Sequence, residues 1–166
     1  EYILYVSNFT EHKGHLDLVS ENSNLLNYKI LLVGTAIDKS GLAIMKYLNK
    51  LKNVKIYSNI SEQRLKKLIK NSSFSVFPSM YEGYGMPILE TVALQKKILI
   101  NNCLKLQHFK KCSFIREVDF KKGVTLKDIK WAKSPNTNKL KRSECINTWD
   151  NISDKIYELI QNQIYS

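Results

Sequence analysis

The stretch Phe74–Gln95, FSVFPSMYEGYGMPILETVALQ, decides how the rest of the chain is to be read. Phe74-Ser75-Val76-Phe77 is a short apolar run of the kind that forms a buried strand. Pro78 cannot donate to a strand ladder, and Gly83 and Gly85 bracket Tyr84, so Pro78 to Met86 reads as a loop. Pro87 suits the first turn of a helix, and Ile88, Leu89, Val92 and Ala93 carry an apolar face onward from it. Strand, glycine loop and helix N-terminus, in that order, present backbone N–H groups and a positive dipole end to an anion. Two carboxylates frame the loop, Glu82 before the glycines and Glu90 about one turn into the helix. An anion cradle between two hydroxyl-reading carboxylates suits a sugar joined to a diphosphate.

The same alternation runs outward from this stretch. Tyr2–Val6 (YILYV), Tyr28–Val33, Val54–Tyr57 and Lys97–Asn101 are apolar runs of β-formers. Helical spacing covers His15–Val19, and Gly41–Leu51 with Leu42, Met45, Leu48 and Leu51 on one side. Ser61 is a good N-cap for a helix over Glu62–Lys70 that turns Leu65, Leu68 and Ile69 inward. Continuous apolar strands between helices predict an α/β fold, a Rossmann-like doubly wound parallel sheet with helices on both faces. Residues 1–166 read as one such domain. Ligands of this architecture sit at the carboxyl ends of the strands. Loops 7–14, 34–40, 58–61 and 78–86 all leave such ends and should converge on one edge. Beyond Asn102 the pattern weakens. Phe114–Phe120 holds a short strand, Lys121–Lys141 is polar and poorly periodic, and a last helix follows Thr148 with Trp149, Ile152, Ile156, Leu159 and Ile160 at helical spacing.

Composition sets bounds. At 43% hydrophobic and 25% charged residues the chain reads as a soluble globular domain with one core. No apolar run approaches the ~18 residues of a membrane span. Glu1 leads directly into a strand without a leader pattern, so a cytoplasmic location is expected. Cys103, Cys112 and Cys145 form no CxxC pair and read as reduced thiols. The net charge of +11 comes almost wholly from lysine, with Arg64, Arg116 and Arg142 the arginines. Such charge opens the nucleic-acid-binding class. The lysines are scattered from Lys13 to Lys155, however, with no arginine-rich helix or nucleic-acid motif. The charge fits an anionic substrate or peripheral contact with an anionic membrane, without choosing between them.

The segment Pro78-Ser79-x-x-Glu82-Gly83-Tyr84-Gly85-Met86-Pro87-Ile88-Leu89-Glu90 resembles the signature of the retaining, GT-B-fold glycosyltransferases of family 4, whose two Glu are separated by seven residues. The resemblance runs from Tyr2 to the closing helix, strongest over 74–101 and weakest over 103–145. It implies the C-terminal, donor-binding half of a GT-B enzyme, whose N-terminal acceptor-binding half lies outside these 166 residues. The half alone is expected to bind a nucleotide sugar and to transfer little. The implied reaction moves a sugar from a nucleoside diphosphate, with retention, to an acceptor glycan or glycolipid. A lipid-linked glycan of bacterial surface polysaccharide, O-antigen or capsule, is the acceptor expected. Two other readings stand beside it: a nucleotide-sugar epimerase of the same fold, and a basic nucleic-acid-binding module.

Residue by residue, the resemblance assigns Lys13-Gly14 to the pair that grips the donor diphosphate after the first strand. Asn8 stands where the family carries an Arg, and His12 sits just before the lysine as a basic neighbour. Glu90 is implied to accept hydrogen bonds from the nucleotide ribose hydroxyls, as carboxylates do in dinucleotide-binding folds. Glu82 is implied to face the donor sugar or the charge at its anomeric carbon, with Lys13 as its catalytic companion. The N–H groups of Gly83, Tyr84, Gly85 and Met86 would hold the sugar and β-phosphate. Gly34 and Ile60, after the second and third strands, complete the donor-binding edge, with the base read by backbone groups around Ile60. No cofactor or metal is expected, because the lysine and the helix would stabilise the leaving group. The chain contains no Asp-x-Asp pair, and His12, His15 and His108 lack ligand spacing.

Overall fold

β1 (Tyr2–Val6) is built of β-formers on both faces, and it sits near the centre of the sheet with strands on both sides. The structure, a computed structural model, describes residues 1–104, 106 and 112–135. Among these residues the sheet has six strands in the order β3-β2-β1-β4-β5-β6, counting β2 (Lys29–Val33), β3 (Val54–Tyr57), β4 (Phe74–Phe77), β5 (Ile98–Asn101) and β6 (Ile115–Val118). Every adjacent pair is parallel, with Ile3 opposite Ile30 and Phe74, and Ser75 opposite Ile98. This is the Rossmann-like doubly wound α/β arrangement that alternating apolar strands and helices predict.

Side chains alternate between two apolar clusters, as the period of two along a strand requires. Ile3, Tyr5, Ile30, Leu32 and Val54 join the larger cluster with helices α1 (His15–Ser20), α2 (Ser23–Leu26), α3 (Lys39–Leu48) and α6 (Leu126–Lys133). Leu4, Leu31 and Val33 turn the other way, against Leu65, Leu68 and Ile69 of α4 (Glu62–Asn71). Helix α5 (Met86–Ala93) buries Ile88 and Val92 in the larger cluster. Truncating one of these buried Leu or Ile side chains to Ala costs about 2–5 kcal/mol, so both faces of the sheet are needed for a stable domain.

Several sequence expectations need correction. The inward face of α3 is Gly41, Ile44 and Leu48, whereas Leu42 is exposed. A Cβ on Gly41 would overlap the Phe9 carbonyl oxygen, so the helix approaches the loop after β1 at its glycine. Counting only apolar residues hid that contact. Met86 and Pro87 are the first and second residues of α5, so the loop ends at Gly85. Helix α6 lies in a stretch expected to be irregular. Its start is secured by a capping box in which the Thr125 hydroxyl accepts from Asp128 N–H and the Asp128 carboxylate accepts from Thr125 N–H. Cys112 is disulfide-bonded, against the expectation of reduced thiols, whereas Cys103 is free and exposed. Linear spacing does not show which thiols a fold brings together. His108, Cys145, Arg142 and the helix expected after Thr148 lie outside the described residues.

Candidate functional site

The four loops that leave strand carboxyl ends are hydrogen-bonded to one another in the order of their strands. Ser58 Oγ donates to the Gly34 carbonyl at 2.8 Å, joining the loops after β3 and β2. Phe9 N–H donates to the Thr35 carbonyl at 2.9 Å, and the Thr35 hydroxyl to Asn8 Oδ1 at 3.2 Å, joining the loops after β2 and β1. Met80 N–H donates to the His12 carbonyl at 2.8 Å, joining those after β1 and β4. Asn101 Nδ2 donates to the Pro78 carbonyl at 3.0 Å, adding the end of β5. The convergence expected from the strand ends is therefore a continuous polar crest. It is held by contacts between residues up to tens of positions apart in sequence.

Two glycines let these loops close. Gly14 has φ +66, and a Cβ there would overlap the Pro78 carbonyl oxygen. A Cβ on Gly34 would overlap the Ser7 carbonyl oxygen. Their lack of a side chain is thus required by packing. Asn8 is occupied as an acceptor for Thr35, a tie between loops in place of the cation that resemblance puts there. His12 lies in a single 3-10 turn, Glu11–Lys13, with Nδ1 3.2 Å from the Thr10 hydroxyl.

At the middle of the crest Lys13 Nζ donates to Glu82 Oε2 at 2.6 Å. The two side chains are only 17% and 16% exposed, so this pair is more shielded than an ordinary surface bridge. Supports converge on it from both sides. The hydroxyl of Tyr5, a fully buried residue, donates to the Lys13 carbonyl at 2.7 Å. Ser79 Oγ donates to the Tyr81 carbonyl at 2.8 Å and lies 3.5 Å from Glu82 Oε2. Next to Glu82 opens a cavity of about 290 Å³ lined by Met80, Tyr81, Glu82, Gly83, Cys103, Leu104 and Leu106.

Under Lys13 the His15 ring stacks on Phe9 (centroids 4.4 Å apart) and tilts against Tyr5 (4.7 Å). Burial, and then the nearby Lys13 ammonium, pull its pKa down to about 3. An uncharged imidazole is therefore part of the platform. Sequence reading assigned no role to Tyr5 or His15. Tyr5 sits inside an ordinary apolar strand, and its hydroxyl has meaning only once Lys13 is folded over it.

The glycine loop divides into two kinds of position. Gly85 is the N-cap of α5 with φ 79 and ψ 44, a left-handed conformation that favours glycine. At Gly83 an added Cβ would meet nothing within 4 Å, so nothing in the fold demands glycine there. Tyr84 is half-buried, and Met86 exposes 49% of its surface at the start of α5. Pro87 carries no N–H, and the N–H groups of Ile88 and Leu89 donate to the Gly85 carbonyl at 2.9 and 3.2 Å, so what the amino end of α5 offers an anion is chiefly the positive end of the helix dipole.

Glu90 belongs to a different place. It lines a cavity of about 170 Å³ on the seam between α4 and α5, with Glu62, Leu65, Lys66, Ile69, Ala93 and Leu94. Partial burial, and then the Glu62 carboxylate, raise its pKa, while Lys66 opposes them. Ile60 is partly buried against the α4 cluster, and Asn59 before it adopts φ 53. At this end of the crest the Ile60 side chain turns inward, whereas Ser58 and Asn59 are exposed. A separate cavity of about 420 Å³, an apolar groove between α1 and α3, holds none of these residues. Among the described residues no three His, Cys, Asp or Glu are grouped to hold a metal ion, and no helix is long and apolar enough to cross a membrane.

The family model described as glycosyl transferases group 1 matches residues 1–108. Comparison with curated proteins gave no match. Among solved structures, a glycosyltransferase from Rickettsia africae is 24% identical over 71% of this chain and 33% of its own, with a TM-score of 0.58. The catalytic domain of cholesterol-alpha-glucosyltransferase from Helicobacter pylori is 17% identical over 78% of this chain and 84% of its own, with a TM-score of 0.57. TarM from S. aureus, in a complex that includes UDP, is 14% identical over 79% of this chain and 27% of its own, with a TM-score of 0.53. At these identities the likeness is one of fold, and the chain spans a third or less of the Rickettsia and S. aureus proteins.

Proposed function

Because the chain belongs to the glycosyl transferases group 1 family, we propose that its crest binds a nucleoside-diphosphate sugar and serves as the donor half of a retaining GT-B glycosyltransferase of family 4. The observation that carries this reading is the Lys13–Glu82 pair. The fold joins a phosphate-seeking ammonium to a hydroxyl-seeking carboxylate at 2.6 Å, beside the amino end of α5. In this reading the diphosphate lies between Lys13 and the amino end of α5, where an ammonium and the positive end of a helix dipole meet. Glu82 accepts from hydroxyls of the sugar, and Glu90 from the ribose. The backbone near Asn59 and Ile60 borders the base. TarM, a fold neighbour, is seen with UDP, which supports a nucleoside diphosphate as the ligand class.

In the transfer itself the bond between the anomeric carbon and the β-phosphate oxygen breaks, and its electron pair stays on that oxygen. Lys13 and the helix end stabilise the growing negative charge, a role resident dipoles perform well in a partly dry site. An acceptor hydroxyl forms the new bond on the same face, and its proton passes to the departing phosphate. The acceptor in this reading is a lipid-linked glycan of bacterial surface polysaccharide, bound by a further domain. The reaction takes place in the cytoplasm, where peripheral contact with an anionic membrane brings acceptor and enzyme together.

Calorimetry with UDP, GDP, ADP and dTDP, each beside its nucleoside, tests the reading. One diphosphate should bind, and Lys13→Ala should weaken it by about 1.5–3 kcal/mol, the worth of a charge-assisted hydrogen bond. The matching nucleoside, which lacks the pyrophosphate, should be little affected. Equal loss for both removes Lys13 from the phosphate site.

A further inference from the structure

Lys13 is paired with a carboxylate of the fold itself. Its Nζ is 2.6 Å from Glu82 Oε2, and both side chains are largely covered. The lysine backbone is tied by the Tyr5 hydroxyl, and that of the residue before it by Met80 N–H. On the other side, Gly14 packs directly on the Pro78 carbonyl, and the Ser79 hydroxyl lies 3.5 Å from the carboxylate. Any phosphate that reaches the ammonium therefore arrives beside Glu82. Little water intervenes to screen the two, since both side chains are more than four-fifths covered.

The two diphosphate species of a sugar transfer differ at this point. A free nucleoside diphosphate ends in a terminal phosphate carrying about −1.5 to −2 charges at neutral pH and offering no donor. In its sugar ester the same phosphorus carries one negative charge and is followed by ring hydroxyls that donate hydrogen bonds. A carboxylate repels the first and accepts from the second. We propose that Glu82 is a specificity-determining residue that makes the site favour the sugar ester over the free nucleoside diphosphate, and so helps expel the product. The proposal rests on the donor reading above. It adds to that reading a reason why the cation comes with a built-in competitor.

The test is calorimetry on the intact chain with the preferred nucleoside diphosphate and its hexose ester, for wild type, Glu82→Asp and Glu82→Gln. The quantity read is the ratio of the two dissociation constants, diphosphate over ester. Glu82→Gln should lower that ratio about tenfold or more, by tightening the diphosphate and loosening the ester, as removal of a like charge at close range predicts. Glu82→Asp keeps the charge but withdraws it by one methylene, so its ratio should fall between those of wild type and Glu82→Gln. Thermal melts of both variants check folding, and Glu82→Asp alone carries the test if Glu82→Gln does not fold. A ratio that is unchanged, because both ligands shift by the same factor, or that rises, overturns this inference and leaves the donor reading intact. Wild-type protein that binds neither ligand overturns both.

Discussion

Glu82 and Glu90 come from one short motif, yet the fold puts them in unlike surroundings. Glu82 sits in the crest, paired with Lys13 at 2.6 Å, and every neighbouring loop is hydrogen-bonded to the next. Glu90 lies on the seam between α4 and α5, where its nearest charged company is a second carboxylate and a lysine. The crest is a place where backbone and side chains are over-determined. The seam is a place where one charge is tolerated at some cost. Close backbone approaches hold at the crest because many contacts share them, whereas at the seam a single, still partly exposed carboxylate answers to partial burial, one like charge and an opposing lysine.

The comparison breaks most severely at the crest glycines. Gly34→Ala sets a Cβ against the Ser7 carbonyl, and no flexible side-chain tip is available to yield. We expect a loss of about 3 kcal/mol, as overpacking against backbone produces, read by denaturant unfolding. A neutral result would mean that the loops after β1 and β2 can part without disturbing the domain.

His15 provides the next largest effect, and it depends on pH. Its pKa in the folded chain is about 3, below the ordinary value of 6.5, so the folded state holds it neutral. The stability it contributes is complete above pH 6.5 and is lost as pH falls toward 3. Between pH 7 and pH 5 the loss should be about 2 kcal/mol. His15→Phe, which keeps a flat ring between Phe9 and Tyr5, should flatten that limb of the stability curve. Parallel curves for variant and wild type would show that protonation elsewhere sets the acid limb.

Gly85→Ala is expected to cost about 1 kcal/mol, because φ 79 is unfavourable for an L side chain. Gly83→Ala, in open space, should leave stability unchanged and so isolates any effect on ligand affinity. Equal destabilisation by both would show that the loop does not divide as described.

The smallest effect belongs to the seam. The folded pKa of Glu90 lies above its unfolded value, so its favourable contribution is present at low pH and is lost as pH rises through the folded pKa. Glu90→Gln removes the ionisation. The variant should melt slightly above wild type at pH 7 and level with it near pH ~4. A lower melting temperature at neutral pH would make Glu90 a stabilising member of the seam and bring it closer to Glu82 in kind.

Much of the architecture was legible along the chain because strand burial is a local signal in a parallel sheet. Tyr2–Val6, Val54–Tyr57 and Phe74–Phe77 are apolar runs, and each is a strand with the predicted bounds. Ser61 caps its helix as its residue type predicts, accepting from Arg64 N–H at 3.3 Å. Helix α6 was hidden by its weak apolar pattern, although Thr125 and Asp128 carry a capping-box signal that could have found it. Its far end is stabilised from outside: Lys97 Nζ donates to the Trp131 carbonyl at 3.0 Å and to Ser134 Oγ at 2.8 Å. Such a cation at a helix carboxyl end comes from another element and leaves no trace in the local pattern.

For the candidate site the division is sharper. Residue types and their order determined that a strand, a glycine loop and a helix start would succeed one another between Phe74 and Ala93. They also determined that an ammonium would stand after the first strand, because these are properties of neighbours in sequence. Only the tertiary structure decided that Lys13 meets Glu82 while Glu90 faces Glu62 and Lys66. It alone decided that Asn8 would serve as a tie between loops, and that Tyr5 and His15 would form the floor beneath the lysine. These are pairings between residues up to 69 positions apart. They depend on sheet order and on which loops close against which, and no spacing rule along the chain encodes either.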